Sequence, residues 1–189
     1  GYDSGKIIRV TVGDTNGNDA DGLGQTTTYA YGTTAGGLTS VTVTDASQRA
    51  WEYRFDAVTN ELKHIVSPTV DGLSDVTSYP YDASGICNLI QVQSTRGAAV
   101  LARTDFEYDI YGNVVKEWDL LGNRIDRQFF ANTGVIYNQT VYTAVDPDGK
   151  ATAQSPAATS AQTTYYVYDG FKLRFMVNAQ GEVTEYIYG

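Results

Sequence analysis

The chain has 189 residues, a formal net charge of −9 and a pI near 4.4. That balance argues against nucleic acid and anionic membrane as partners, and an acidic surface keeps β-rich chains apart in solution. Tyrosine (15 copies) and glycine (19 copies) are heavily used, whereas Met, Cys and His occur once each, so paired-cysteine and multi-histidine metal chemistry is ruled out.

In chain order the pattern predicts strands and turns throughout. Ile7 to Val12 reads as a strand, and residues 13–24 as a polar, glycine-rich loop. Gln25 to Tyr31 returns as a strand. Leu38 to Thr44 alternates and pairs across Asp45 to Arg49 with Ala50 to Phe55, where Trp51, Tyr53 and Phe55 share one face. Leu62 to Val66 is stopped by Pro68, residues 67–75 form an insertion, and Val76 to Tyr81 follows with Pro80 at an end or edge. Ile86 to Gln93 and Ala98 to Tyr108 flank a turn over Ser94 to Gly97. Val114 to Trp118 and Arg124 to Phe130 flank the turn at Leu121-Gly122, and Val135 to Thr143 is a longer strand. Residues 144–162 are the largest insertion, with a Ser/Ala/Thr stretch of linker composition. Thr163 to Tyr168, Leu173 to Val177 and Val183 to Tyr188 complete the series. Nowhere do apolar residues hold a helical spacing over three turns, and no run approaches 18 apolar residues. No signal peptide opens the chain, and membrane insertion is not expected.

One short unit recurs. In Phe106-Glu107-Tyr108-Asp109-Ile110-Tyr111-Gly112 two aromatics share a strand face. Asp109 then caps a turn, and Gly112 supplies its positive φ, as in a type I turn with a bulge. Related units are Tyr2-Asp3-Ser4-Gly5, Tyr29-Ala30-Tyr31, Tyr53-Arg54-Phe55-Asp56, and Tyr79-Pro80-Tyr81-Asp82 with Gly85. Phe129 marks a worn copy, and Tyr166-Val167-Tyr168-Asp169 and Tyr186-Ile187-Tyr188 finish the series. The anchors recur about 20 to 40 residues apart, the spacing of an architecture whose units rest on their neighbours. A second turn lies between anchors, at Asp119 to Asn123, Asn178 to Glu182 and Asp45 to Arg49. Each unit is therefore two strands and two turns, and both chain ends fall within a unit, as expected of an excised or processed piece of a longer protein.

The phased Tyr-x-Tyr-Asp-x-x-Gly series, with its mid-unit glycine, resembles the YD repeat of RHS proteins. That family includes bacterial polymorphic toxins, the shell component of insecticidal toxin complexes and the animal teneurins. The clearest matches run from Tyr79 to Gly85, from Phe106 to Gly112, and from Tyr166 to Gly170 with Gly181 and Tyr186 to Tyr188. Tyr31 and Tyr188 depart from the pattern, being followed by Gly, and Phe129 by Phe. The expected fold is all-β, with tandem β-hairpins forming a curled, solenoid- or shell-like antiparallel sheet as one module over residues 1–189. The resemblance implies a secreted or cell-surface bacterial protein whose sheet closes into a hollow shell around a toxin domain. Its partners would be further repeats or copies of itself at open sheet edges. The family's aspartyl self-cleavage motif has no match; Asp146-Pro147-Asp148-Gly149 reads as a turn.

Two other readings stand beside the shell. Units with open edges could add strand to strand and grow a filament or surface fibre. Exposed tyrosines could stack on sugars in a glycan-binding adhesin, although their regular place at strand ends favours cross-strand ladders. No spacing of carboxylates, hydroxyls or the lone His64 singles out a catalytic set, so no enzyme and no required cofactor is expected. Asp14, Asn16, Asn18 and Asp21 place oxygens in a loop as Ca²⁺ sites do, against the plainer reading of a solvated hairpin loop. Cys87 reads as a small packed residue, and Asn138-Gln139-Thr140 is a glycosylation sequon.

Overall fold

The computed structural model describes residues 1–13, 24–83, 87–143 and 161–189. They fall into two compact units. The first comprises Gly1–Pro80 and Gln93–Leu101, the second Tyr81–Val92 and Ala102–Gly189. The first unit carries β1 (Tyr2–Asp3), β2 (Lys6–Ile7), β3 (Arg9–Val12), β4 (Gln25–Thr33), β5 (Thr39–Thr44), β6 (Ala50–Phe55), β7 (Leu62–Val66) and β8 (Asp75–Ser78). β9 (Gln91–Arg96) and β10 (Ala99–Tyr108) have residues in each unit. The second unit continues with β11 (Val114–Asp119), β12 (Arg124–Phe129), β13 (Ile136–Tyr142), β14 (Ala161–Asp169), β15 (Lys172–Val177) and β16 (Val183–Glu185).

The described residues are all-β, without a helix, and every paired strand is antiparallel. β1 and β2 form a hairpin of their own. β3 to β9 are paired in strict chain order, and so are β10 to β16.

In the first unit the period-2 pattern sorts side chains cleanly. Tyr29, Val43 and Trp51 stand in one row, and Tyr31, Val41, Tyr53 and Ile65 in the next, all on one face. The opposite face carries rows such as Ser40, Arg54, His64 and Ser78. Aromatic and β-branched residues hold these strands because they fill a pleated, half-buried surface. The second unit has a row of Asp105, Trp118 and Arg124. Trp118 is the only buried apolar side chain among the described residues, and Arg124 and Asn138 are buried with it. Arg124 gives Asp126 two hydrogen bonds of 2.7 Å and lies 5.0 Å from the Tyr142 ring centroid. Asn138 donates to Gln128 Oε1 at 2.7 Å. Buried polar groups are tolerated when so partnered. A thick apolar core, which the chain length allows, is thus replaced by cross-strand pairing along the sheet.

Several predicted boundaries move, each for a local reason. β8 stops at Ser78 rather than Tyr81, because Pro80 has no N–H to extend the ladder. β9 begins at Gln91, not Ile86, leaving Tyr81 and Leu89 as an isolated bridge. Ser94, Thr95 and Arg96 lie in β9, pinned where Arg96 grips the Asp75 carboxylate at 2.6 and 2.9 Å. The turn is instead Gly97-Ala98, with φ of 58° at Gly97. Within the 67–75 insertion, Asp71 and Gly72 have φ of 52° and 80° and close a two-residue turn between Val70 and Leu73, an Asp-Gly signal that the strand pattern overlooks. β16 ends at Glu185, before Tyr186.

Candidate functional site

The anchor turn at Asp109 and the mid-unit turns share one construction. At Asp109, Oδ1 accepts the N–H groups of Tyr111 and Asn113, each at 2.9 Å, and Oδ2 accepts Asn113 Nδ2 at 2.9 Å. Asp119 repeats this with Leu121 and Asn123, and Asp45 with Ser47 and Arg49. Asn178 accepts Gln180 and Glu182 N–H in the same way, but its amide donates to Glu182 Oε2 at 2.6 Å, so donor and acceptor are exchanged. The fourth residue is left-handed each time, with φ of 84° at Gly112, 84° at Gly122, 83° at Gly181 and 62° at Gln48. Asp56 caps a turn one residue longer, through Val58 and Thr59 N–H, and Asp82 bonds Asn88 across its turn. Asp3 and Asp169 differ. Each sits opposite a lysine, Lys6 or Lys172, across a two-residue loop, with Gly5 at φ 79° and Gly170 at φ 60°.

The caps favour the ionised carboxylate at Asp45, Asp56 and Asp109. The Asn113 amide, followed by backbone N–H groups, lowers the Asp109 pKa below the usual carboxylate value. For Asp45 the leading cause is the Arg49 N–H, and for Asp56 the Thr59 N–H.

The aromatic pair has a job that the sequence does not disclose. Each second aromatic stands opposite a residue just after its own turn: Tyr2 opposite Ile7, Phe55 opposite Leu62, Tyr81 opposite Leu89, Tyr168 opposite Leu173. At three of these places the next unit's second tyrosine donates its hydroxyl to that residue's carbonyl. Tyr31 reaches Ile7 at 2.9 Å, Tyr108 reaches Leu89 at 2.7 Å, and Tyr188 reaches Leu173 at 2.8 Å. The next unit's first aromatic donates its backbone N–H to the carbonyl one residue further on. Those bonds run from Tyr29 to Ile8, Tyr79 to Lys63, Phe106 to Ile90 and Tyr186 to Arg174, at 2.8 to 3.0 Å. At those three turns two consecutive carbonyls are therefore claimed by the following Tyr-x-Tyr or its phenylalanine variant.

A bulge recurs at the anchor strands, and the Tyr188 hydroxyl bonds the Leu173 carbonyl beside one of them. Pairing slips by one residue just before Phe55, Tyr108, Phe129 and Tyr168, leaving Lys63, Val115, Tyr137 and Arg174 as the extra residues on the partner strands. A bulge interrupts the ladder and increases twist, and a phenol hydroxyl can satisfy a carbonyl beside it. Burial, then the Asp82 charge, raises the Tyr108 pKa; burial, then Tyr166 and Tyr188, raises that of Tyr168. Both phenols stay protonated, and therefore donors, at neutral pH. Two joints share a further feature: Lys6 lies 4.8 Å from the Tyr31 ring centroid and Lys172 lies 5.4 Å from that of Tyr188.

Tyr53 and Tyr166 are ladder residues opposite Val41 and Met176. Phe129 faces Ile136 at its bulge. Asp14, Asn16, Asn18, Asp21 and Gly85 lie outside the described residues, as do residues 146–149. Among the described residues no group of three or more His, Cys, Asp or Glu side chains is placed to hold a metal ion. His64 pairs with Ser78 Oγ at 3.1 Å, and burial, then Arg54 and Lys63, lowers its pKa. Cys87 is exposed, not packed, because it takes the left-handed turn position at φ 59°. The sequon residue Asn138 is buried against Gln128 and is no acceptor in the folded chain. No protein-family model matches the chain, and no curated protein matches it.

Proposed function

We propose that this chain is a non-catalytic structural module: a wall segment of an extracellular β-shell of the RHS/YD type that encloses or presents a toxin or effector. The observation that carries this reading is the repeated joint. Tyr31, Tyr108 and Tyr188 each close the preceding unit by the same hydroxyl bond. A device repeated at three joints along the chain suits a sheet lengthened by tandem addition, where each repeat contacts its neighbours. It does not suit a reaction centre, which gathers different groups at one place. The YD resemblance supplies the shell, the cargo and the surface or secreted location.

A second reading is a filament or fibre subunit that grows by strand addition. It is favoured by β16, whose residues are exposed and whose only strand neighbour among the described residues is β15. Negative-stain electron microscopy with sedimentation velocity on the purified chain tests both readings. Curved or closed ordered particles support the wall, and linear fibres support the filament. A strictly monomeric species at every concentration counts against assembly and moves the weight to a glycan-binding module.

A further inference from the structure

The first unit carries a groove of about 660 Å³ beside the Tyr31 joint, within the size range of small-molecule sites. Its lining includes Lys6, Tyr31, Thr33, Thr39, Phe55 and Asn60. Tyr31, Thr33, Thr39 and Phe55 belong to one sheet face, since Thr33 pairs with Thr39 and Thr39 with Phe55. Among the described residues Lys6 is the only charged one lining it, in a chain of net charge −9. The groove beside Tyr108 is lined instead by Asp82, Glu107 and Asp109. The lysine is held in position: its Nζ lies over the Tyr31 ring, and Tyr31 is itself fixed by its bond to Ile7.

We propose that this groove binds the carboxylate-bearing residue of an acidic sugar. Lys6 Nζ takes the carboxylate, as a charge-assisted hydrogen bond. The Thr33 hydroxyl and the Asn60 amide meet sugar hydroxyls, and the Phe55 ring receives an apolar sugar face. Thr39 Oγ1 already donates to the Phe55 carbonyl at 3.4 Å and keeps its lone pairs for a ligand. An acidic peptide fits less well. β4 and β5 are paired on both sides, so an extended peptide finds no open ladder here. This assignment stands apart from the wall reading: a wall segment without a sugar site, or a sugar site on a monomer, is each a distinct result.

The test is a titration of the ¹⁵N-labelled chain, followed by amide shifts, with a glucuronate-terminated tetrasaccharide, an uncharged glucose tetrasaccharide and a poly-glutamate peptide. The acidic sugar is expected to shift β4 and β5 amides and to bind about tenfold or more tighter than the neutral one. Salt should weaken that binding. Lys6→Gln should erase the preference, Lys6→Arg should keep it, and Lys172→Gln, at the matching joint of the second unit and absent from the groove's lining, should change nothing. Should Lys6→Gln disturb the β1–β2 hairpin, Phe55→Leu gives the second reading and should weaken binding. No binding, equal binding of both sugars, preferential binding of the peptide, or unchanged affinity in a folded Lys6→Gln or Phe55→Leu variant overturns the proposal.

Discussion

At the scale of single residues, the repeated side chains act through one bond each. Tyr108→Phe keeps the ring and removes the hydroxyl that meets the Leu89 carbonyl. A loss of about 1 kcal/mol in urea unfolding is expected, with the fold intact, since Phe55 and Phe129 occupy the same place in their own units. Tyr108→Ala also empties the ring's position and should cost clearly more. Asp109 supports a prediction about pH. Its folded pKa is depressed, first by the Asn113 amide. Its contribution is therefore full above the ordinary carboxylate value of about 4 and is lost as pH falls through the lower folded value. Asn178 performs the same cap with an amide oxygen. Asp109→Asn keeps an oxygen for the two backbone N–H groups but sets its amide N–H against the Asn113 amide, which donates to Asp109 Oδ2 and to the Thr133 carbonyl, so it should melt somewhat below wild type at neutral pH, with a shallower decline below about pH 4. Asp109→Ala should melt lower throughout. Equal acid limbs in wild type and Asp109→Asn would remove Asp109 from the acid response.

At the scale of elements, turns were readable and bulges were not, for a physical reason. A turn with a left-handed residue restricts which amino acids can stand there, so Asp109, Gly112, Asp119 and Gly122 mark themselves in the sequence. A bulge asks only for one extra residue in the partner strand, and Lys63, Val115, Tyr137 and Arg174 have nothing in common chemically. The hydroxyl partners stayed hidden because a backbone carbonyl is the same at every residue. The candidate joint could thus be named from Tyr-x-Tyr, but not what it closes on. The burial of Arg124 and Asn138 was equally unreadable, since it depends on Asp126, Tyr142 and Gln128 arriving from register. The shared turn also makes a paired prediction. Gly112→Ala places a Cβ at φ 84° with only an ordinary contact, to Asn88 at 4.0 Å, so its cost is conformational, about 1 kcal/mol. Gln48 already stands at φ 62° in the matching place. Gln48→Gly should raise stability by up to about 1 kcal/mol. Opposite signs for the two variants in thermal melts are the expected outcome; the same sign would mean the turns are not equivalent.

At the scale of the whole molecule, a sheet with one buried apolar side chain among its described residues depends on strand neighbours more than on a core. An outermost strand then matters disproportionately. Along β16, Asn178 N–H bonds the Glu182 carbonyl and Tyr186 N–H bonds the Arg174 carbonyl. The antiparallel alternation turns the backbone groups of Thr184 toward β15 and those of Val183 and Glu185 away from it. Glu185→Pro therefore removes an outward N–H and leaves the β15 pairing in place. It also removes the Glu185–Arg174 contact, which is exposed and long at 3.4 Å and contributes little. If strands add at this edge, wild-type chain sediments as larger species with rising concentration, while Glu185→Pro stays monomeric with an unchanged circular dichroism spectrum. Equal sedimentation of the two at every concentration would mean that β16 is not where neighbouring repeats or copies join, and the search for that joint would move to β3. There, Gly1 already bonds Arg9 in both directions, and Val10 to Val12 form the stretch beyond it.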